Sequence, residues 1–145
     1  MRIYLAGPMR GIKFFNFPAF NAAAASLRAE GHFVFNPAER DCERHGKDIS
    51  KGNAAGCEAL AAAEHGFSLR DALADDLEFI CKHAEAVALL PGWQRSKGVA
   101  AERATAFALG LPVFEIVRRG NKIYQADVAA APIGSSCAVC GRGSQ

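Results

Sequence analysis

Two carboxylates stand out because both fall on the apolar faces of predicted helices. Glu102 lies in a helix predicted over 99–109, and it shares a face with Val99 and Ala106. It lies six residues past Ser96, which is too deep in the helix for a capping box. A carboxylate on a core-facing stripe needs either a partner or a chemical role. The structural alternative is an N-terminal carboxylate that the helix dipole favours.

Asp76 is the second carboxylate of this kind. Its neighbour Asp75 shares a polar face with Asp71, whereas Asp76 falls in register with Leu73 and Ile80 on the apolar stripe. It could instead reach water at the edge of the stripe or form a structural ion pair. Two inward carboxylates at one sheet edge are typical of acid/base or glycosyl chemistry. A separation of roughly 5 Å would favour a covalent intermediate over direct attack by water.

Two loops are candidates for binding an anion. The first is the turn 7–11, in which Arg10 offers a fork of donors for a phosphate. The second is the segment 96–98, whose backbone N–H groups precede a helix. Neither contains the glycine pattern of a dinucleotide site or of a P-loop, so those two classes are not supported. The alternative for 7–11 is a turn with no further role.

Two aromatic residues have both a structural and a functional interpretation. Tyr4 lies inside the first predicted strand, where a buried tyrosine packs its ring and finds one partner for its hydroxyl. Trp93 lies in a loop beside Gly92. It is interpreted either as a side chain that stacks on a base or sugar ring, or as a hydrophobic plug.

The cysteines favour free thiols. Their number is five, and an odd count without framework spacing indicates a reducing cytoplasm. Cys137 and Cys140 form one CxxC pair, whereas structural zinc needs four ligands. Cys42, His45 and Cys57 could complete a set only if their segment folds against the C-terminal tail.

The elements that must position these residues alternate along the chain. Short apolar runs predict strands and periodic segments predict helices, which indicates an α/β fold: a doubly wound, flavodoxin/Rossmann-like parallel sheet of four to five strands with helices on both faces. Residues 38–67 break the pattern and are interpreted as a flap over one end of the sheet, with a short helix at 57–64. The predicted domain is 1–118, followed by a C-terminal extension and tail over 119–145.

Composition sets the broad class. The chain has 145 residues, of which 50% are hydrophobic and 22% charged, with a net charge of +2. This composition is typical of one ordered globular domain. The near-balance of charge argues against a nucleic-acid polymer as partner. No apolar run approaches the roughly 20 residues that span a bilayer, so no membrane partner is expected. The N-terminus lacks the pattern of a signal peptide.

Together these residues resemble the nucleoside 2-deoxyribosyltransferase superfamily. The resemblance is to its small phage and prophage branch of unassigned activity and to the 2′-deoxynucleoside 5′-phosphate N-hydrolases, and it covers residues 1 to about 118. The stretches that carry it are Tyr4–Gly11, Asn16–Phe20, Gly31–Pro37, Asp76–Ile80 and Leu90–Glu102. The last contains Ser96, Gly98 and Glu102 at the spacing Ser-x-Gly-x-x-x-Glu.

This resemblance implies a retaining N-glycosidic mechanism. Glu102 matches the nucleophile, Tyr4 the tyrosine that positions it, and Asp76 the group that assists departure of the base. Arg10 and Ser96 match the ligands of the 5′-phosphate, although Pro8 stands where that branch has a serine. The remaining expected substrate contacts are Gly7, Met9, Gly11, Trp93 and Gly98.

The expected function is cleavage or transfer of a 2′-deoxyribosyl group from a 2′-deoxynucleoside 5′-monophosphate. The resemblance implies no metal or organic cofactor, and it implies a homodimer or higher homo-oligomer. We expect Glu102 to be ionised at neutral pH, with Asp76 holding or sharing a proton. The alternatives are a nucleotide-binding sensor without catalysis and an interaction protein acting through the Cys137/Cys140 tail.

Overall fold

Five strands form one sheet in the order β2-β1-β3-β4-β5 in the computed structural model of the chain, which describes residues 1–119 and 122–128. The strands are β1 Arg2–Ala6, β2 Phe33–Phe35, β3 Ala86–Leu89, β4 Val113–Arg119 and β5 Lys122–Asp127. The first four are parallel, and β5 runs antiparallel to β4. The four predicted strands are confirmed to within two residues at their ends.

Helices cover both faces of this sheet. They are α1 Phe17–Ala29, α2 Pro37–His45, α3 Glu58–His65, α4 Leu69–Lys82 and α5 Lys97–Ala108. The apolar side of α1 packs on one face, and α4 and α5 pack on the other. The predicted class is therefore confirmed as a doubly wound, Rossmann-like α/β fold. None of these helices is long and apolar enough to cross a membrane.

The pleat of β1 decides which of its residues reach which face. Ile3 and Leu5 join the core cluster beneath α1, whereas Tyr4 and Ala6 join the cluster beneath α4 and α5. A tyrosine at the centre of a parallel sheet is thus directed towards the two helices that carry Asp76 and Glu102.

The fifth strand departs from the expected parallel sheet. Residues 119–127 were interpreted as part of an extension beyond the domain, yet β5 pairs with β4 along its length. Only two residues separate β4 from β5, and a connection that short cannot make a parallel crossover. The predicted loose tail at 135–145, with Cys137 and Cys140, lies outside the described residues.

The segment 38–67 contains more helix than expected. The predicted helix at 57–64 is confirmed as α3, but α2 was missed because it has no continuous apolar stripe. Local signals start it: Asn36 Oδ1 accepts a hydrogen bond from the Ala38 N–H at 3.0 Å, and Pro37 occupies the first turn. Residues 37–67, which contain α2 and α3, are called the flap below.

The flap is fastened to the turn that follows β1. The Gly11 N–H donates to the Gly56 carbonyl at 2.9 Å. The Asn53 side chain accepts from the Cys57 N–H and donates to the Cys57 carbonyl, both at 2.8 Å. Gly56 has a φ of +63°, and a Cβ there would lie 2.2 Å from the Ile12 carbonyl oxygen. Only glycine permits this approach.

Candidate active site

A buried hydrogen bond joins β1 to α5. The Tyr4 hydroxyl donates to Glu102 Oε1 at 2.9 Å, although 98 residues separate the two in sequence. Tyr4 is fully buried and Glu102 is 6% exposed. Glu102 Oε2 is also buried and has no hydrogen-bond partner among the described residues. One oxygen of this carboxyl is therefore held in place, and the other is left without protein contacts that would satisfy it.

The position of Glu102 follows from how α5 begins. Ser96 Oγ accepts a hydrogen bond from the Val99 N–H at 3.3 Å and so caps the helix. Val99, Glu102 and Ala106 are the buried residues of α5, as their spacing predicts. The dipole alternative does not account for this burial, since a carboxylate that only favours the helix N-terminus would remain in water.

Asp76 and Glu102 line the same cavity, which has a volume of about 80 Å³. α4 carries Asp76 and begins at the predicted Ser68 cap, where Ser68 Oγ accepts from the Asp71 N–H. Apolar side chains from the flap and from α4 form the walls of the cavity; among them are Ile49, Phe67, Leu69 and Leu73. The described residues thus bring the two predicted carboxylates together in a largely apolar space.

Both carboxyl groups hold their protons more strongly than in water. Burial and the nearby charge of Asp76 raise the pKa of Glu102 to about 8, and the Tyr4 hydroxyl only partly offsets this. Burial and the charge of Asp41 raise the pKa of Asp76 to about 7. Burial and the same carboxylates raise the pKa of Tyr4, so its hydroxyl remains a donor.

These pKa shifts favour the neutral forms of both carboxyls. Glu102 was expected to be ionised at neutral pH, with Asp76 holding or sharing a proton. In the unliganded protein the pKa of each group is raised, because loss of hydration outweighs the hydrogen bonding of Tyr4. The pair therefore keeps at least one proton near neutral pH.

A second, wider space adjoins the carboxylate cavity. Its volume is about 920 Å³, and its lining includes Arg10, Gly11, Arg95, Ser96 and Lys97. Arg10 lines both spaces. This groove lies beyond the carboxyl ends of β1 and β3, which are neighbours in the sheet. Cationic side chains and the N-terminus of α5 make it suited to an anion.

Arg10 already has an anionic partner from the flap. Its Nη1 lies 3.0 Å from Oε2 of Glu58, the first residue of α3. Both side chains are partly exposed, with 41% and 36% of their surface accessible. A carboxylate of the protein thus lies where the resemblance places a substrate phosphate.

Two predicted glycine contacts have different roles. A Cβ on Gly98 would lie 3.9 Å from Glu102 Oε1, so a larger side chain there would come close to the Glu102 carboxyl. Gly7 lines neither cavity; a Cβ there would lie 2.8 Å from Leu90 Cβ. Its lack of a side chain allows the end of β1 to pack against Leu90, and a contact of Gly7 with substrate stays a prediction. Met9 lines the carboxylate cavity as predicted.

Trp93 is held by contacts within the protein. Its indole Nε1 donates to Glu115 Oε1 at 2.6 Å, and the Arg103 guanidinium lies 4.3 Å from the centre of its ring. It packs against the core beneath α4 and α5 and does not line either of the two cavities described above. These contacts favour the interpretation of Trp93 as a hydrophobic plug, and its binding to a base or sugar ring stays a prediction.

Asp41 is the site residue that the sequence analysis missed. It lines the carboxylate cavity from α2 and is 6% exposed. Burial raises its pKa to about 6, although Arg44 opposes the shift. The available signal was the Asn36-Pro37 helix start, because Asp41 lies four residues after Pro37 and so shares its buried face.

Within residues 1–119 and 122–128, no group of three or more His, Cys, Asp or Glu side chains is placed to hold a metal ion. Cys42, Cys57 and Cys81 are free thiols.

The fold and the site define a class: a Rossmann-like α/β domain with a buried tyrosine–glutamate pair and a second carboxylate in one cavity. Residues 1–115 match the family model described as "Domain of unknown function (DUF4406)", and the chain belongs to that family. No curated protein and no solved structure gives a match. The family description assigns no activity, so the site geometry must carry any functional conclusion.

Proposed function

We propose that the protein breaks the N-glycosidic bond of a 2′-deoxynucleoside 5′-monophosphate and passes the deoxyribosyl group to water or to a second base. The observation that carries this proposal is the buried Tyr4–Glu102 hydrogen bond beside a cavity that Glu102 lines together with Asp76. The bond fixes the direction of one glutamate oxygen, and the other oxygen has no protein partner among the described residues.

The first step forms a glycosyl ester. Ionised Glu102 attacks the anomeric carbon, and the C–N bond breaks with its electron pair going to the base. Asp76 supplies the proton that neutralises the leaving base. The positive charge that develops on the sugar stabilises the Glu102 carboxylate, so substrate favours the proton on Asp76 and an ionised Glu102.

The second step regenerates the enzyme. Asp76, now ionised, accepts a proton from water or from an acceptor base, which attacks the anomeric carbon and releases Glu102. A 2′-hydroxyl would withdraw electrons from the sugar cation, so a 2′-deoxyribosyl group requires less catalytic assistance.

Arg10 and the N-terminus of α5 are proposed to hold the 5′-phosphate. Arg10 lines both spaces, and Ser96 lies across the groove at the start of α5. On binding, the phosphate would take the place of the Glu58 carboxylate on Arg10.

One assay tests the proposal directly. Wild-type protein is incubated with a panel of deoxynucleoside 5′-monophosphates, and free base is measured by chromatography. We expect base release by the wild type and none by Glu102→Gln. The control is Glu78→Gln, which removes an exposed carboxylate of α4 that pairs with Lys82. Absence of base release from every nucleotide, or full activity of Glu102→Gln, would overturn the proposal.

The raised pKa of Glu102 supports a second candidate, a nucleotide-binding sensor without catalysis. A protonated glutamate can bind a sugar hydroxyl but is a poor nucleophile. A sensor would bind nucleotide tightly without turnover and would retain that binding in Glu102→Gln.

A further inference from the structure

The loop between β3 and α5 contains one residue that takes no part in the proposed steps or in the groove. Of the segment 91–97, the residues that line the groove are Pro91, Gly92, Gln94, Arg95, Ser96 and Lys97. The remaining residue, Trp93, does not line it and packs instead against the core beneath α4 and α5. Trp93 is thus the side chain that joins this loop to the core.

The Trp93 side chain is bound on two sides. Its indole Nε1 donates to Glu115 Oε1 on β4 at 2.6 Å. The guanidinium of Arg103 on α5 lies 4.3 Å from the centre of the Trp93 ring, and it also lies 5.2 Å from the ring of Phe107, one turn further along α5. A cation over an aromatic face and a hydrogen bond to a carboxylate are both directional, so they fix the orientation of the indole as well as its position.

The backbone carries this position to Ser96. The Trp93 N–H donates to the Leu90 carbonyl at 3.2 Å, and the Trp93 carbonyl accepts from the Ser96 N–H at 3.0 Å. Ser96 Oγ in turn accepts from the Val99 N–H and caps α5. A shift of Trp93 would therefore move the Ser96 hydroxyl and the first N–H groups of α5, which are the groups proposed to hold the 5′-phosphate.

We propose that Trp93 is a positioning residue for the phosphate: it holds the loop against α5 and β4 so that Ser96 and the N-terminus of α5 face the groove in a fixed arrangement. This inference rests on the proposed function, which assigns the 5′-phosphate to that groove. Because Ser96 Oγ accepts its hydrogen bond from the helix, its O–H is available to donate to a phosphate oxygen. A loop that is already fixed also loses less conformational freedom when the phosphate binds.

The effect of Trp93 should be confined to the phosphate. Glu102 is held separately, since its hydrogen bond comes from Tyr4 on β1 and not from the loop. Loss of the Trp93 contacts should therefore weaken the binding of the phosphate group and leave the binding of the sugar and base unchanged.

The test compares each of the four common deoxynucleoside 5′-monophosphates with its unphosphorylated deoxynucleoside. In the Glu102→Gln background, calorimetry gives both affinities without turnover. We expect Trp93→Ala to weaken the monophosphates by about tenfold or more and to change the affinities for deoxynucleosides by less than about twofold. The control is Phe33→Ala, which removes an exposed aromatic side chain from β2 and should keep the wild-type affinities.

Glu115 gives a second set of variants, which keeps the test decisive if Trp93→Ala fails to fold. Glu115→Ala removes the acceptor of the indole N–H and should weaken the monophosphates selectively, whereas Glu115→Gln keeps an acceptor oxygen and should preserve their affinity. Trp93→Phe removes the donor of the same hydrogen bond. Combining Trp93→Phe with Glu115→Ala should therefore cost less than the sum of the two single losses.

The same measurements separate this inference from the proposed function. Base release by the wild type, with a ratio of monophosphate to deoxynucleoside affinity that no Trp93 or Glu115 variant changes, would overturn the inference and leave the proposed function standing. Equal losses for both ligands would also overturn it, and would indicate that Trp93 contacts the base or sugar directly. No turnover by the wild type, with a ratio that falls in these variants, would support the inference and overturn the proposed function. Failure of every monophosphate to bind would overturn both.

Discussion

In the Tyr4–Glu102 pair, the burial of Glu102 conflicts with the ionised state that a nucleophile needs. A nucleophilic carboxylate must be ionised, yet burial to 6% exposure favours its neutral form. One hydrogen bond from Tyr4 reduces the shift but does not cancel it, and the pKa remains near 8. The site therefore holds a proton at rest, and the proposed mechanism requires that proton to lie on Asp76 when substrate is bound.

Replacing Glu102 should separate binding from chemistry. We expect Glu102→Gln to lower kcat for base release by about a thousandfold or more, since it removes the group that forms the intermediate. Nucleotide affinity should stay within a few-fold of the wild type. Mass spectrometry with a slow 2-fluoro-2-deoxy substrate should find a sugar adduct on Glu102 of the wild type. An adduct on any other residue would contradict the assignment.

Substitutions of Arg10 and Glu58 should have opposite effects on the affinity for nucleotides. Arg10→Ala should weaken deoxynucleoside 5′-monophosphates by about tenfold or more, because it removes a charge-assisted hydrogen bond, and should leave unphosphorylated deoxynucleosides unaffected. Glu58→Gln should strengthen monophosphate binding, because it removes the carboxylate that competes for Arg10. Affinities measured by calorimetry check both. Equal losses for nucleotides and nucleosides in Arg10→Ala would remove the phosphate assignment.

Individual site residues were predictable where the helical spacing places a charged residue on an apolar face. Glu102 and Asp76 could be found in this way, because each lies on an otherwise apolar face of its helix. Asp41 could not, because α2 lacks such a stripe and its burial depends on what the flap packs against. The contacts of Trp93 were not predictable, because its partners Arg103 and Glu115 come from α5 and β4 and no local pattern brings them together.

At the scale of elements, the flap completes the candidate site, to which β1, α4 and α5 contribute Tyr4, Asp76 and Glu102. It contributes Asp41, Ile49 and Phe67 to the cavity, and it brings Glu58 to Arg10. Its attachment depends on the Gly11–Gly56 hydrogen bond, and the Asn53 side chain shapes the flap loop that carries Gly56. The helix α3 could be predicted from its alanines, whereas the fastening of the flap could not, since it pairs residues 45 apart.

Two glycines in the flap allow this attachment to be tested. Gly46 and Gly56 have nearly equal φ angles of +66° and +63°, so alanine at either costs about 1 kcal/mol or more in backbone strain. Only at Gly56 does the new Cβ meet an atom, the Ile12 carbonyl oxygen at 2.2 Å. We expect Gly56→Ala to lower the free energy of unfolding clearly more than Gly46→Ala, as measured by urea denaturation. Equal losses would mean that the flap is not held at this point.

At the scale of the whole molecule, the order of elements was predictable because alternating strands and helices leave few topologies for a parallel sheet. The antiparallel strand β5 was not predicted, since its residues were assigned to an extension outside the domain. The site has one consequence for stability. The buried carboxyls of Asp41 and Glu102 and the half-buried carboxyl of Asp76 have raised pKa values, of about 6, 8 and 7 respectively.

Stability should therefore fall as pH rises. The three groups are neutral in the folded state at pH 5, while in the unfolded chain they ionise near pH 4. Their contribution is fully present below pH 4 and is lost as pH rises through the folded pKa values, because the folded protein then holds buried charge. Thermal unfolding should give a higher Tm at pH 5 than at pH 9.

Glu102→Gln isolates the largest of these contributions. Its gain in the free energy of unfolding over wild type should be small near pH 5 and should grow to on the order of 3 kcal/mol by pH 9, since the variant has no charge to bury. Glu43→Gln, at an exposed position, should show no such growth. A pH-independent difference for Glu102→Gln would contradict the assignment of a raised pKa.

The loop between α2 and α3 separates Tyr4 and Asp41 from Asp76 and Glu102 along the chain. Lys51 is exposed within it, so trypsin can cut the chain there. The first fragment would hold Tyr4 and Asp41, and the second Asp76 and Glu102. Neither fragment alone contains the Tyr4–Glu102 hydrogen bond, because β1 lies in one and α5 in the other. Mixed fragments that regain base release would make this protein a split reporter whose signal depends on reassembly across the sheet.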